Sequence, residues 1–363
     1  MSRRTGYDSG GHGMTEGLRT EVPCHGSAAL ADNRAYLPGM SFARYRSRMA
    51  EFPRFFPVLP AVPPGDAVMD TLRRGNEFDT DESGRGDSYR NAQRAPEVRL
   101  RGIRALLQLA LDGPVPHRWP DTLRILDVLG GDGTLARALA RLRPYAVQDR
   151  QCVLTSDLSR HMVAQALRYG LPAICEPAEH LLLPDGTFDA VILAYGTHHI
   201  PVPDRRKAYA EALRVLKPGG RVVVHDFEEG GAVARWFSTV VHRYAPNGHS
   251  YEHFTRRDLL ADLRAVGFRD VSAREIYDPF TVSGTTPRSA RRGLCAYVAD
   301  MYGLFGLRQA PDWQRGLWEL ITEHAARSPR PDSGEVVTRL VEPTGTGFAA
   351  TMPRNALVAA GVK

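Results

Sequence analysis

Eleven residues, 124 to 134 (Arg-Ile-Leu-Asp-Val-Leu-Gly-Gly-Asp-Gly-Thr), restrict what this chain can become more than any other stretch. A short apolar run, Ile125, Leu126, Val128 and Leu129, is broken by one acid and closed by Gly130, Gly131 and Gly133. That pattern predicts a buried strand entering a tight turn that opens a helix, with Leu135, Leu139 and Leu142 on one helical face. Glycines let the backbone approach a ligand, and the helix start beyond them offers free N–H groups. A dinucleotide site would ask for Gly-x-Gly-x-x-Gly; here Gly131-Asp132-Gly133-Thr134-Leu135-Ala136 puts alanine at the last glycine.

The same alternation continues downstream. Cys152 to Asp157 is a second apolar run ending in an acid, and Ser159 is placed to cap the helix that follows and ends at Gly170. Pro172 to Glu176 and Phe188 to Ala194 read as strands three and four. A helix from about Asp204 to Leu216 stops at Lys217-Pro218-Gly219-Gly220, before strand five, Arg221 to His225. Thr255 caps another helix that ends at Gly267, strand six is Asp270 to Ile276, and a last strand spans Asn355 to Gly361. Strands alternating with helices of this length predict an α/β fold, a mostly parallel sheet with helices on both faces. Ligands of such sheets bind at the carboxyl ends of the strands, where Gly130, Asp157, Ala178, Tyr195 and Asp226 should gather.

Four blocks are expected: a disordered lead (1–35), an aromatic and proline-rich N-terminal cap (36–97), a core (98–280 plus 346–363), and a helical insertion or lid (281–345) over the rim of the sheet. The four cysteines have no Cys-x-x-Cys spacing, so neither a disulfide framework nor a zinc knuckle is expected. The formal charge of +6 and pI near 9.2 come from arginines spread among acids, with only three lysines, so nucleic acid is not expected as a partner. There is no run of about eighteen apolar residues and no apolar segment at the N-terminus, so the chain is expected to be cytoplasmic, with no membrane partner.

Four stretches in this order resemble the class I S-adenosylmethionine-dependent methyltransferases, over roughly residues 98–277 and the last strand. They are Ile125 to Thr134; Ser156-Asp157-Leu158-Ser159; Pro177 to Leu181 with Pro184 to Asp189; and Leu216-Lys217-Pro218-Gly219-Gly220. The resemblance implies a Rossmann-like, seven-stranded, mostly parallel sheet and S-adenosylmethionine as cofactor. By that likeness Gly130, Gly131 and Gly133 face the methionine half of the cofactor, and Asp127 orients the loop or meets the ammonium. Asp157 takes the ribose hydroxyls, Leu158 packs on the adenine, and Ala178 and Glu179 meet its edge. Leu129 stands where the family has its first glycine, and Pro177 where it has an acid that reaches the adenine amine. Ala194-Tyr195-Gly196-Thr197 follows strand four, in place of the Asn-Pro-Pro-Tyr-like element common where amide or base nitrogens are methylated, and Ala194 is included among the cofactor-binding positions.

Methyl transfer needs a nucleophile held close in a dry site, and a base if that nucleophile carries a proton. Candidates lie after strands four and five: Tyr195, His198, His199, His225, Asp226 and Glu228, then His249, Glu252 and His253. His199 is the first choice near the transferred methyl, with Tyr195 and His253 beside it. No metal is expected, because His249 and His253 precede a helix cap and lack the usual carboxylate or cysteine spacing. The expected activity is methylation of a small, hydrophobic natural-product or biosynthetic intermediate at carbon, oxygen or nitrogen, by a homodimer formed through the insertion. A nucleic-acid methyltransferase and a catalytically silent cofactor-binding partner subunit are the alternatives.

Overall fold

The computed structural model describes residues 35–79, 85–115, 120–142 and 149–363; the expected disordered lead lies outside them apart from Ala35. Among the described residues the first helices are α1 (Phe42–Met49), α2 (Asp66–Arg73), α3 (Gly86–Gln93) and α4 (Leu100–Ala110). The core then runs β1 (Ile125–Val128), α5 (Thr134–Leu142), β2 (Val153–Asp157), α6 (Arg160–Arg168), β3 (Ala173–Cys175), β4 (Phe188–Leu193), α7 (Val202–Val215) and β5 (Leu216–Asp226). After several short helical turns come α8 (Arg256–Val266), β6 (Arg269–Tyr277), β7 (Phe280–Gly284), α9 (Pro287–Tyr302) and α10 (Trp313–Ala325). Strands β8 (Val341–Thr344), β9 (Gly347–Met352) and β10 (Asn355–Val362) end the chain.

The main sheet has seven strands in the order β3-β2-β1-β4-β5-β10-β6. β1 to β5 pair in parallel, and β10 inserts antiparallel between β5 and β6. This is the expected Rossmann-like α/β sheet. Its centre is apolar on both faces: Ile125, Leu126, Val153, Leu154, Val191, Ile192, Val223 and Val224 are all fully buried, as parallel strands covered by helices must be. Each such side chain contributes roughly 1.5–3 kcal/mol through burial. Helix starts are set by side chains: Ser159 accepts from the Met162 N–H and Thr255 from the Asp258 N–H. α8 stops at Gly267 in the left-handed conformation.

The sequence order reverses between β1 and β4, and the loops after both open to the same edge of the sheet. The first part of the N-terminal segment covers the opposite problem, the free edge of β3. Tyr36 and Tyr45, both buried, donate their hydroxyls to the carbonyls of Cys175 and Ala173, which closes off an edge that would otherwise recruit another strand.

Two local readings differ. Strand five begins at Leu216 rather than Arg221, because Leu216 already pairs with Phe188 across a bulge before the regular ladder starts at Arg221. The region given as a helical insertion (281–345) carries α9 and α10 but also β8 and most of β7, which pair with β9, from the block assigned to the core, in a separate antiparallel sheet β7-β9-β8. Its strands are short and half exposed, so the apolar alternation that would have announced them is weak.

Candidate cofactor cleft and acceptor cavity

Where β1 ends, the chain turns through Leu129 and Gly131, both at positive φ (64° and 59°). A leucine there is strained by about 1–2 kcal/mol, a cost that glycine avoids. The turn is held from β2: Asp157 Oδ2 accepts from the Gly131 N–H at 2.8 Å, and Oδ1 accepts from the Ser159 N–H at 2.8 Å. One carboxylate therefore fixes the glycine loop and the start of α6 together. Burial raises the Asp157 carboxyl to about 6, although those two N–H donors pull it down. Asp127, in β1, is buried with Oδ2 unpaired, and burial, then the charge of Asp157, lifts its carboxyl to about 8. A carboxyl poised this way is ready to receive a cation.

These loops border a cleft of about 420 Å³. Of the residues expected at the cofactor, Leu129, Gly131, Asp157, Leu158, Ala178 and Glu179 line it, as do Tyr195 and His199. Asp127, Gly130, Gly133, Ala194 and His253 do not. A Cβ at Gly130 would fall 2.6 Å from Asp127 Oδ2, so glycine is needed there for close approach. A Cβ at Gly131 would meet nothing nearer than Gln93 Nε2 at 3.7 Å, and the space it would enter belongs to the cleft.

From the far side the N-terminal segment supplies Glu77, Phe78 and Tyr89. Glu77 is a junction: its carboxylate lies 3.3 Å from His199 Nδ1 and 3.2 Å from Arg85 Nε, and accepts from the Tyr251 hydroxyl at 3.0 Å. Burial, then the neighbouring His198, lowers the His199 imidazole well below its ordinary value, so His199 is neutral at pH 7. It is available as a proton acceptor, and Glu77 orients it.

Beyond Tyr195 and His199, which line both, lies a second cavity of only about 30 Å³, bounded by Arg99, His198, Phe227, Phe237, Tyr302 and Arg354. Arg354 is ion-paired with buried Asp278, which also accepts from the Tyr195 hydroxyl at 3.2 Å and lies 3.3 Å from His225 Nε2. Arg99 differs. It is buried, bonds to the Tyr297 hydroxyl at 3.2 Å, and stacks over Tyr195 at 4.6 Å. No carboxylate pairs with it among the described residues. A buried guanidinium without its own anion is costly unless a ligand supplies one.

Behind His198 lies Asp226, 3.0 Å from His198 Nδ1 and accepting from the His198 backbone N–H at 2.7 Å. His253 Nδ1 is 3.7 Å from the same carboxylate. His253 therefore belongs to this buried cluster and not to the wall of either cavity. Glu228 is drawn away toward Arg256. Sequence reasoning missed Glu77, Arg99, Asp278 and Arg354; Asp278, an acid just after β6, and Arg99, an arginine at the start of the apolar helix α4, were the available signals.

The cleft suits the cofactor that the resemblance implies. Asp157 keeps lone pairs for a sugar diol, Leu158 and Met162 give an apolar wall for a flat base, and the unpaired carboxyl of Asp127 lies buried behind the glycine turn, not in the wall of the cleft. A family model described as "Methyltransferase domain" matches residues 125–220. A ubiquinone/menaquinone biosynthesis C-methyltransferase of Geobacter sulfurreducens is 30% identical over 187 residues, 44% of this chain and 69% of that protein. A demethylmenaquinone methyltransferase of Clavibacter sepedonicus is 30% identical over 171 residues, 42% and 68% of the two chains. Among solved structures, one titled a possible histamine N-methyltransferase of Thermotoga maritima superposes with a TM-score of 0.42 at 16% identity, covering 76% of this chain and 93% of that one. That last likeness is too distant to bear on chemistry.

Proposed function

The chain belongs to the class I S-adenosylmethionine-dependent methyltransferases, with S-adenosylmethionine as its cofactor, and on that footing we propose that it methylates a small, ring-containing acceptor that carries an acidic oxygen. The observation that carries this reading is Arg99, a buried cation with no carboxylate paired to it among the described residues, in the wall of a small cavity that shares Tyr195 and His199 with the cofactor cleft. At about 30 Å³ the inner cavity has room for little more than one acidic oxygen beside Arg99, of a phenolate, enolate or carboxylate, so the ring of the acceptor sits at its mouth, against Phe78, Tyr89 and Tyr195.

When bound, the cofactor supplies an electrophilic methyl group. The protein's part is to hold the acceptor against it, to exclude water, and to take up a proton where the acceptor has one to lose. Neutral His199, oriented by Glu77 at the junction of cleft and cavity, is placed for that proton. Tyr195, whose hydroxyl is raised well above its ordinary value by burial and then by Asp278, stays protonated and bounds the junction. An acidic oxygen is compatible with O-methylation or with C-methylation next to it, and the Geobacter sulfurreducens relative is named a C-methyltransferase. The setting in specialised metabolism, the cytoplasmic location and the homodimer belong to the same proposal; among the described residues no helix is long and apolar enough to cross a membrane.

The test is formation of S-adenosylhomocysteine with hydroxynaphthoates and naphthoquinols as acceptors, in parallel with neutral methoxy analogues and with duplex DNA and RNA. Turnover confined to the acidic acceptors supports the reading. Turnover on nucleic acid alone contradicts it.

A further inference from the structure

Behind the inner cavity, three chain segments bring buried metal-ligating side chains to one point. His198 follows β4, Asp226 ends β5, and His253 closes the loop before α8. Their ligand atoms all lie within 4.8 Å of one another. His198 Nδ1 is 3.0 Å and His253 Nδ1 is 3.7 Å from the Asp226 carboxylate. Two ligands bound to one ion through bonds of about 2.1 Å sit roughly 3.0–3.4 Å apart at octahedral to tetrahedral angles. The first pair already has that spacing, and the second needs a shift of a few tenths of an ångström.

Hydrogen bonding alone leaves this cluster incomplete. His253 Nδ1 is buried with no hydrogen-bond partner, although it faces a carboxylate. Its other nitrogen, Nε2, is 3.3 Å from His249 Nε2. In the tautomer in which His253 donates there, Nδ1 turns a lone pair toward Asp226, an arrangement that a cation between them would stabilise. A ligating histidine that donates its second N–H to a neighbour is the usual outer-shell pattern of metal sites. The backbone N–H groups of His198 and Phe227, each 2.7 Å from Asp226, fix the carboxylate in the way such outer shells do. Phe237 stacks on His249 at 4.2 Å and shields the group from water.

We propose that His198, Asp226 and His253 form a site for one divalent transition-metal ion, with His249 orienting His253. Two imidazoles and one carboxylate favour zinc, iron(II), cobalt or manganese over magnesium or calcium. The ion ties together the loops after β4 and β5 and the loop before α8, and so sets the wall of the acceptor cavity to which His198 belongs. The proposal departs from the expectation of no metal drawn from sequence spacing, because its three ligands come from three separate segments, after β4, at the end of β5 and before α8, which spacing along the chain does not register.

The test is titration of chelator-treated full-length protein with Co²⁺, followed by visible d–d absorption, metal content and thermal unfolding. One equivalent bound, tetrahedral or five-coordinate bands and a raised Tm are expected. His253→Ala should abolish the bands, and His249→Ala should weaken binding by about 10–100-fold. Calorimetry with S-adenosylhomocysteine, whose cleft residues are separate, shows that each variant is folded and keeps the cofactor reading independent of the metal. Wild-type protein that binds S-adenosylhomocysteine but shows no bands, no bound metal and no change in Tm overturns the proposal, and the cluster is then a hydrogen-bonded one.

Discussion

Asp157 Oδ2 and the backbone N–H of Gly131 are 2.8 Å apart, so the acid at the end of β2 holds the glycine loop at the end of β1. The contact makes Asp157 both a structural brace and a carboxylate in the wall of the cleft at the end of a sheet strand. Asp157→Ala should weaken S-adenosylhomocysteine binding by roughly ten- to a hundredfold, the worth of charged hydrogen bonds of about 1.5–3 kcal/mol. Calorimetric titration checks this, and unchanged affinity would remove Asp157 from the cofactor site.

Asp127 gives the unliganded protein a pH dependence of defined sign. Its folded value of about 8 lies above the ordinary carboxyl value of 3.8, so the folded state holds a proton that the unfolded state releases. Stability is greatest below about pH 4 as far as this group is concerned, and declines as pH rises from there to about 8. Asp127→Asn should abolish that decline and raise Tm at pH 8. Urea unfolding across this range measures it; an unchanged slope would contradict the assignment. The charged form becomes favourable once a cation arrives, so cofactor binding near pH 7 should release a proton, seen as a binding enthalpy that varies with the buffer.

Arg99→Met keeps the apolar stem but removes the charge. Turnover of an acidic acceptor should fall in kcat/KM by about ten- to a hundredfold, the worth of a charged hydrogen bond, while affinity for S-adenosylhomocysteine stays the same. Steady-state kinetics beside calorimetry separates the two. Equal losses in both would mean that Arg99 supports the fold and not the acceptor.

His324, in α10, has Nε2 2.8 Å from the Pro353 carbonyl and is buried. Burial lowers its imidazole to about 4, so its contribution to stability is present above about pH 6.5 and is lost as pH falls through 4. On the order of 2–3 kcal/mol should disappear between those limits. His324→Gln should flatten this acid limb in urea unfolding, and a limb that remains would place its origin elsewhere.

Much of the core was legible because its signals are local. Gly130 to Gly133, Asp157 and the caps at Ser159 and Thr255 are each announced by neighbours within a few residues, and parallel strands buried on both faces read as unbroken apolar runs. The acceptor side was not legible in this way. Arg99 meets Tyr195 across 96 positions of sequence, Glu77 meets His199 across 122, and Arg354 meets Asp278 across 76. None of those pairs has a spacing rule. The sheet β7-β9-β8 was missed for a related reason: its outer strands are half exposed and alternate poorly, so nothing in the sequence separates them from loop.

The central claim is that the β1 and β2 loops bind S-adenosylmethionine. Calorimetric titration of the wild-type chain with S-adenosylhomocysteine tests it most directly. One site per chain, with affinity weakened in Asp157→Ala, is the predicted result. A folded wild-type protein that gives no binding heat and no rise in Tm with either the cofactor or its demethylated product would contradict it.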